Sequence, residues 1–188
     1  MITIAVGCLC ISLALLAYWV YVYRPKQKPL LILDMNNVLI YRRYVGDIDD
    51  TLPLEDAVKS GRFYIWKRPG LDTFLEDIFQ RYTVAVWSSA RKHNLDPLCS
   101  LVFSEQHRAK LLFEWSQVRC TPLLRSTTKQ KQIFAKPLQT VWDTYPQYTE
   151  RNTIIVDDSS AKMTHNPRSC VILVKPWTPL LNHSLPRV

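Results

Sequence analysis

Glycine is scarce, at four of 188 residues, which excludes collagen-like repeats and glycine-rich linkers. Five cysteines stand at positions 8, 10, 99, 120 and 170, with no C-x-x-C pair and no His/Cys run at zinc-ligand spacing. An odd, unpatterned count argues against a disulfide framework and favours a reducing compartment. Acidic residues are missing from the first 28 positions, and charge of either sign is missing from residues 2–23. No internal repeat or low-complexity tract interrupts the rest. Apolar residues make up 47% and charged residues 21%, which excludes a largely disordered chain. A chain of 188 residues has room for one domain with a real core and not for two.

The net charge is +8. Arg24, Lys26 and Lys28 follow the uncharged stretch directly, and without them 21 basic residues face 16 acidic ones. That modest excess is not interleaved with aromatic residues into a stripe, so no nucleic-acid partner is expected. Anionic partners such as phosphorylated groups or lipid headgroups fit better.

Residues 2–23, ITIAVGCLCISLALLAYWVYVY, would span roughly 30 Å as a helix, about the thickness of a bilayer core. Tyr18, Trp19, Tyr21 and Tyr23 crowd its far end, where amphipathic rings prefer the membrane interface. A cleaved signal peptide would need a basic amino-terminal region and a shorter apolar run. The expectation is therefore a transmembrane anchor over residues 1–23 and a basic juxtamembrane spacer over 24–29. A domain over 30–175 and a tail over 176–188 follow. The basic flank places the domain on the cytosolic side of a single-pass protein.

Within the domain, Leu30–Leu33 is a short apolar run closed by Asp34, as in a buried strand. Residues 38–45, 63–67, 83–87, 154–156 and 170–174 also read as extended. Residues 71–81 place apolar side chains at helical spacing. Residues 91–101 read as a helix interrupted by Pro97, and 104–132 show no clear pattern. Strands alternating with helices, with polar residues just past the strand ends, point to a three-layer α/β fold with a mainly parallel sheet.

Four features fall at those ends in order: Asp34, Ser88, Lys136, and the pair Asp157 and Asp158. Together they have the chemistry for phosphoryl transfer. A carboxylate can attack phosphorus and form an aspartyl-phosphate. A hydroxyl and a lysine can hold phosphoryl oxygens as charge develops. Further acids can bind Mg²⁺, which offsets the repulsion between carboxylate and phosphate. Each residue alone would be a turn, cap or surface residue; the ordered set is far more specific.

The blocks LILDMNNVLI, KRPGLDTFL, VAVWSSA, FAKPL and IIVDDSS resemble the FCP1-homology group of the haloacid-dehalogenase superfamily, from about Leu30 to Val174. That group includes the small carboxy-terminal-domain phosphatases, Dullard and Tim50; an anchor preceding the domain is similar to the Dullard layout. The resemblance implies a HAD-like Rossmannoid fold and a Mg²⁺-dependent phosphoserine or phosphothreonine phosphatase. Asp34 would be the nucleophile, and Ser88 and Lys136 would bind phosphate. Asp34, Asp157, Asp158 and the backbone carbonyl of Asn36 would hold the metal. Arg42 and Arg68 receive no role.

The usual D-x-D-x-T motif is altered: Asn36 replaces the second Asp and Val38 the Thr. That Asp is the general acid, worth on the order of 10² to 10⁴ in rate, so turnover should be reduced. The alternative is a catalytically dead pseudophosphatase, acting as a phospho-partner binding module or a Tim50-like translocase receptor. The expected partner is a phosphoprotein substrate or an acidic protein, with a regulatory subunit as a further candidate. The expected membrane is the endoplasmic reticulum or nuclear envelope, with the mitochondrial inner membrane as the alternative.

Overall fold

The computed structural model describes residues 27–123 and 132–179. Strand β1 (Leu30–Leu33) leads through a tight loop to β2 (Ile40–Tyr44). Strands β3 (Val58–Ser60) and β4 (Phe63–Lys67) precede helix α1 (Leu71–Arg81). Strand β5 (Thr83–Trp87), helix α2 (Lys92–Val102) and the short helix α3 (Glu105–Ala109) come next. Three two-residue strands follow: β6 (Glu114–Trp115), β7 (Thr121–Pro122) and β8 (Phe134–Ala135). Helix α4 (Leu138–Thr144), β9 (Thr153–Asp157) and β10 (Val171–Leu173) complete the domain.

The central sheet has the order β10-β9-β1-β5-β6 with every pairing parallel. Its apolar residues divide by the two-residue period of a strand. Leu31 and Leu33 of β1 and Val84 and Val86 of β5 join one core with Leu71, Leu75 and Ile78 of α1 and Leu95, Leu98 and Val102 of α2. Leu30, Ile32, Ala85, Trp87 and Ile155 face the other way, onto Leu138 and Val141 of α4. Burying such aliphatic side chains contributes about 1.5–3 kcal/mol each, so β1, covered on both faces, anchors the sheet.

Two expectations need correction. Strands β2, β4 and β3 do not extend the parallel sheet; they form a separate antiparallel sheet in that order. Gly61, at φ 55°, supplies the left-handed turn that joins β3 to β4. Helix α2 is also not interrupted: Pro97 lies inside Lys92–Val102. Proline there removes a single intrahelical hydrogen bond, while Leu95, Leu98, Cys99 and Val102 hold the helix against the core.

The anchor expected over residues 1–23 lies outside the described residues. Among the described residues no helix is long and apolar enough to cross a membrane. Of the carboxy-terminal tail, the described part runs back over the first loop, where the Trp177 amide donates to the Asn37 carbonyl at 3.0 Å.

Candidate active site

Strands β1 and β9 are neighbours in register, Leu33 opposite Val156. Their next residues, Asp34 and Asp157, therefore stand side by side at the carboxyl edge of the sheet. The Asp34 amide continues the ladder, donating to the Val156 carbonyl at 3.0 Å. Strand parity turns both carboxylates toward the layer covered by α4. Lys136, two residues before that helix, meets them there.

Lys136 is fully buried, Asp157 is fully buried and Asp34 is 2% exposed. Lys136 Nζ donates to Asp157 Oδ2 at 2.6 Å. It lies 2.9 Å from Asp34 Oδ1, an ion-pair contact without hydrogen-bond angles. Asn166 clamps the lysine's chain: its side-chain amide donates to the Lys136 carbonyl at 2.9 Å, and its Oδ1 accepts from the Leu138 amide at 2.8 Å. A lysine that looks like a surface residue in sequence is thus built into the interior.

The sequence reading missed Lys162. It ends the single turn Ser160–Lys162 after β9. Its ammonium donates to Asp34 Oδ2 at 2.9 Å, Asp157 Oδ1 at 3.1 Å and Asp158 Oδ1 at 3.3 Å. The Lys162 carbonyl accepts from the Lys136 amide at 3.0 Å, so the two lysine-bearing loops are tied together. The one signal in the sequence was its spacing, four residues after Asp158.

Burial pushes the Asp34 carboxyl up, but the ammonium groups of Lys136 and Lys162 more than offset this and hold it below the usual carboxylate range. Burial pulls the Lys162 ammonium down, and the charges of Asp34 and Asp157 outweigh it and drive it up. Asp34 is therefore an ionised carboxylate, the form a nucleophile requires.

Asn37 sits at φ 60°, an uncommon conformation for a residue with a side chain. It lets Asn37 Nδ2 donate to Asp158 Oδ2 at 2.8 Å, fixing the third acid. Asn36 is half-buried, and its Oδ1 is shielded from solvent without a hydrogen-bond partner among the described residues. Ser88, fully buried, stands just past β5, and its Oγ accepts from the Ala90 amide at 3.2 Å. Arg68 donates to the Val38 carbonyl and Arg42 lies over the Phe63 ring; both are occupied away from the acids.

Asp34, Asp157 and Asp158 each offer a carboxylate oxygen within 4.8 Å of the others. Hard oxygen donors at that spacing suit Mg²⁺, and Asp34 Oδ1 is buried without a hydrogen-bond donor among the described residues. Three carboxylates against two ammonium groups leave the cluster short of positive charge. The residues fit a divalent ion chemically, although Lys162 touches all three acids. An apolar groove of about 500 Å³ lies elsewhere, between α1 and β9–β10; Phe74, Ile154 and Ile172 line it and none of the site carboxylates does.

The arrangement is that of a phosphatase-like α/β domain of the haloacid-dehalogenase superfamily. The model of the NLI interacting factor-like phosphatase family matches residues 29–185, and the chain belongs to that family. An uncharacterised FCP1 homology domain-containing protein of Schizosaccharomyces pombe is 30% identical over 148 residues, covering 74% of this chain and 58% of its own length. A putative CTD phosphatase-like protein of Invertebrate iridescent virus 3 is 26% identical, covering 80% of this chain and 85% of its own length. Phosphatase PSR1 of Saccharomyces cerevisiae is 24% identical, covering 78% and 31%. The solved structure of the fission yeast RNA polymerase II CTD phosphatase Fcp1 bound to beryllium fluoride matches with a TM-score of 0.57 at 19% identity. It covers 86% of this chain, which spans 45% of that one. That likeness shows the fold. The chain spans 58% of the first of these relatives and less than a third of PSR1.

Proposed function

We propose that this protein is a slow, Mg²⁺-assisted phosphoprotein phosphatase acting through an aspartyl-phosphate on Asp34. One observation carries the reading: Asp34 is buried, held ionised, and paired on both oxygens by lysine ammonium groups at the carboxyl edge of the sheet. The Asp34 carboxylate attacks the phosphorus of a phosphoserine or phosphothreonine ester. A bond forms between an Asp34 carboxylate oxygen and phosphorus, giving an acyl phosphate, as the bond from phosphorus to the alcohol oxygen breaks. The departing alkoxide takes its proton from water, because the Asn36 amide is no useful acid at neutral pH. Water then attacks the aspartyl-phosphate, again without a base at position 36, and phosphate leaves with Asp34 restored.

Asp34, Asp157, Asp158 and the Asn36 backbone carbonyl would hold Mg²⁺, which would supply the charge that lets an anionic nucleophile meet an anionic phosphoryl group. Lys136 orients Asp34 and offers charge to the phosphoryl oxygens, and the Ser88 hydroxyl is the neutral donor beside them. Residues 2–23 anchor the protein in a membrane, of the endoplasmic reticulum or nuclear envelope, with the domain in the cytosol and a phosphoprotein as substrate. The uncharged run and its basic flank support this part of the proposal.

Asn36 also favours a second reading, a domain that binds a phosphorylated partner without turning it over. A pre-steady-state assay with p-nitrophenyl phosphate separates the two. The phosphatase reading expects a burst of about one product per site followed by a slow steady state. The binding reading expects no burst, with capture of a phosphopeptide that free phosphate displaces.

A further inference from the structure

We propose that Lys162 is a tethered cation that occupies the divalent-metal position of the resting site, so that Mg²⁺ enters only when this ammonium swings out. The inference rests on reading the three-acid cluster as a metal site. Its Nζ contacts one oxygen from each of Asp34, Asp157 and Asp158 at 2.9–3.3 Å. These are the same three acids whose oxygens gather within 4.8 Å of one another. No point next to all three is left for a second cation without strong repulsion from this ammonium.

The two lysines of the cluster differ in freedom. Lys136 has no exposed surface and no route outward, whereas the Lys162 side chain keeps 18% of its surface in solvent. Lys162 is carried on a single turn held by its backbone, through the Lys162 amide to Ser159 and the Lys162 carbonyl from Lys136. The side chain can therefore leave while the loop stays in place. Charge bookkeeping points the same way: exchanging the ammonium for Mg²⁺ makes the cluster neutral, whereas adding Mg²⁺ beside it leaves an excess positive charge in a buried site.

This arrangement keeps the acids together in the absence of metal and raises the Mg²⁺ concentration needed to load the site. The test is Mg²⁺ binding by calorimetry and thermal melting of the full chain, for wild type, Lys162→Ala and Lys162→Gln. Gln keeps the bulk of the side chain without its charge, in case the Ala variant does not fold. Both variants are expected to bind Mg²⁺ at least tenfold more tightly than wild type. Without metal they should melt below wild type, and Mg²⁺ should restore them. Adding Asp157→Asn to Lys162→Gln should abolish the gain, locating the ion at these acids. Equal or weaker Mg²⁺ affinity in the variants would overturn the role of Lys162 while leaving the metal site standing. No Mg²⁺ binding by any of the chains would overturn the metal site itself, and the proposal with it.

Discussion

Asp34 and Asp157 end adjacent parallel strands and share one buried ammonium, Lys136 Nζ, at 2.9 and 2.6 Å. Two carboxylates this close and this buried repel strongly unless a cation lies between them. The site is thus a charge cluster first, and its chemistry follows from which cation holds which acid.

Removing the shared cation tests that view. Lys136→Met leaves the two buried acids with only the partly exposed Lys162 ammonium between them. Breaking a buried pair typically costs about 3–5 kcal/mol, so the melting temperature should fall on the order of 10 °C in a domain of this size. A shift under about 2 °C would mean that Lys136 contributes little to holding the acids.

Asn36→Asp restores a carboxyl group at the position of the missing acid. Steady-state turnover of p-nitrophenyl phosphate should rise more than about tenfold, the low end of general acid–base catalysis. The burst should shrink below one per site, because a restored base speeds breakdown of the aspartyl-phosphate relative to its formation. Unchanged turnover would place the defect elsewhere in the cluster.

Asn37 combines backbone strain with a useful contact. Asn37→Ala loses the bond to Asp158 and keeps a side chain at positive φ, and should destabilise by about 2 kcal/mol. Asn37→Gly relieves the backbone conformation, so it should lose about half as much. Equal losses in denaturant unfolding would show that the left-handed conformation contributes nothing.

Cys99 offers a check on the core that supports β5 and β6. Burial, and secondarily Glu114, pushes its thiol up to about 12. At pH 8 roughly one molecule in 10⁴ carries the thiolate, so peptide-resolved alkylation of the folded protein should spare Cys99. The folded thiol is above its ordinary value near 9. Its contribution to stability is therefore complete below pH 9 and is lost progressively as pH rises toward 12. Fast alkylation at pH 8 would show that this core opens readily.

Much of the site was legible because strands β1, β5 and β9 are short apolar runs closed by a polar residue. Period-two alternation then fixes which face each side chain serves. Asp34, Asp157 and Lys136 meet where that reading brings the strand ends together. Lys162 was not legible, because a charged residue after a strand points outward by default. Only the turn at Ser160–Lys162, closed by the bond to Lys136, swings it inward. The antiparallel sheet was equally hidden, since a five-residue strand such as Phe63–Lys67 does not announce which sheet it joins. Strands β6 and β7 are two residues long and leave no periodicity to read.

The most direct test is to trap the covalent intermediate. The full chain is mixed with Mg²⁺ and p-nitrophenyl phosphate, quenched in the burst phase, reduced with borohydride and mapped by peptide mass spectrometry. An aspartyl-phosphate is reduced to homoserine, so homoserine should appear at position 34, and the burst should vanish in Asp34→Asn. Nitrophenol release with no modification at position 34, or with the modification at another acid, would contradict the assignment of Asp34 as the nucleophile.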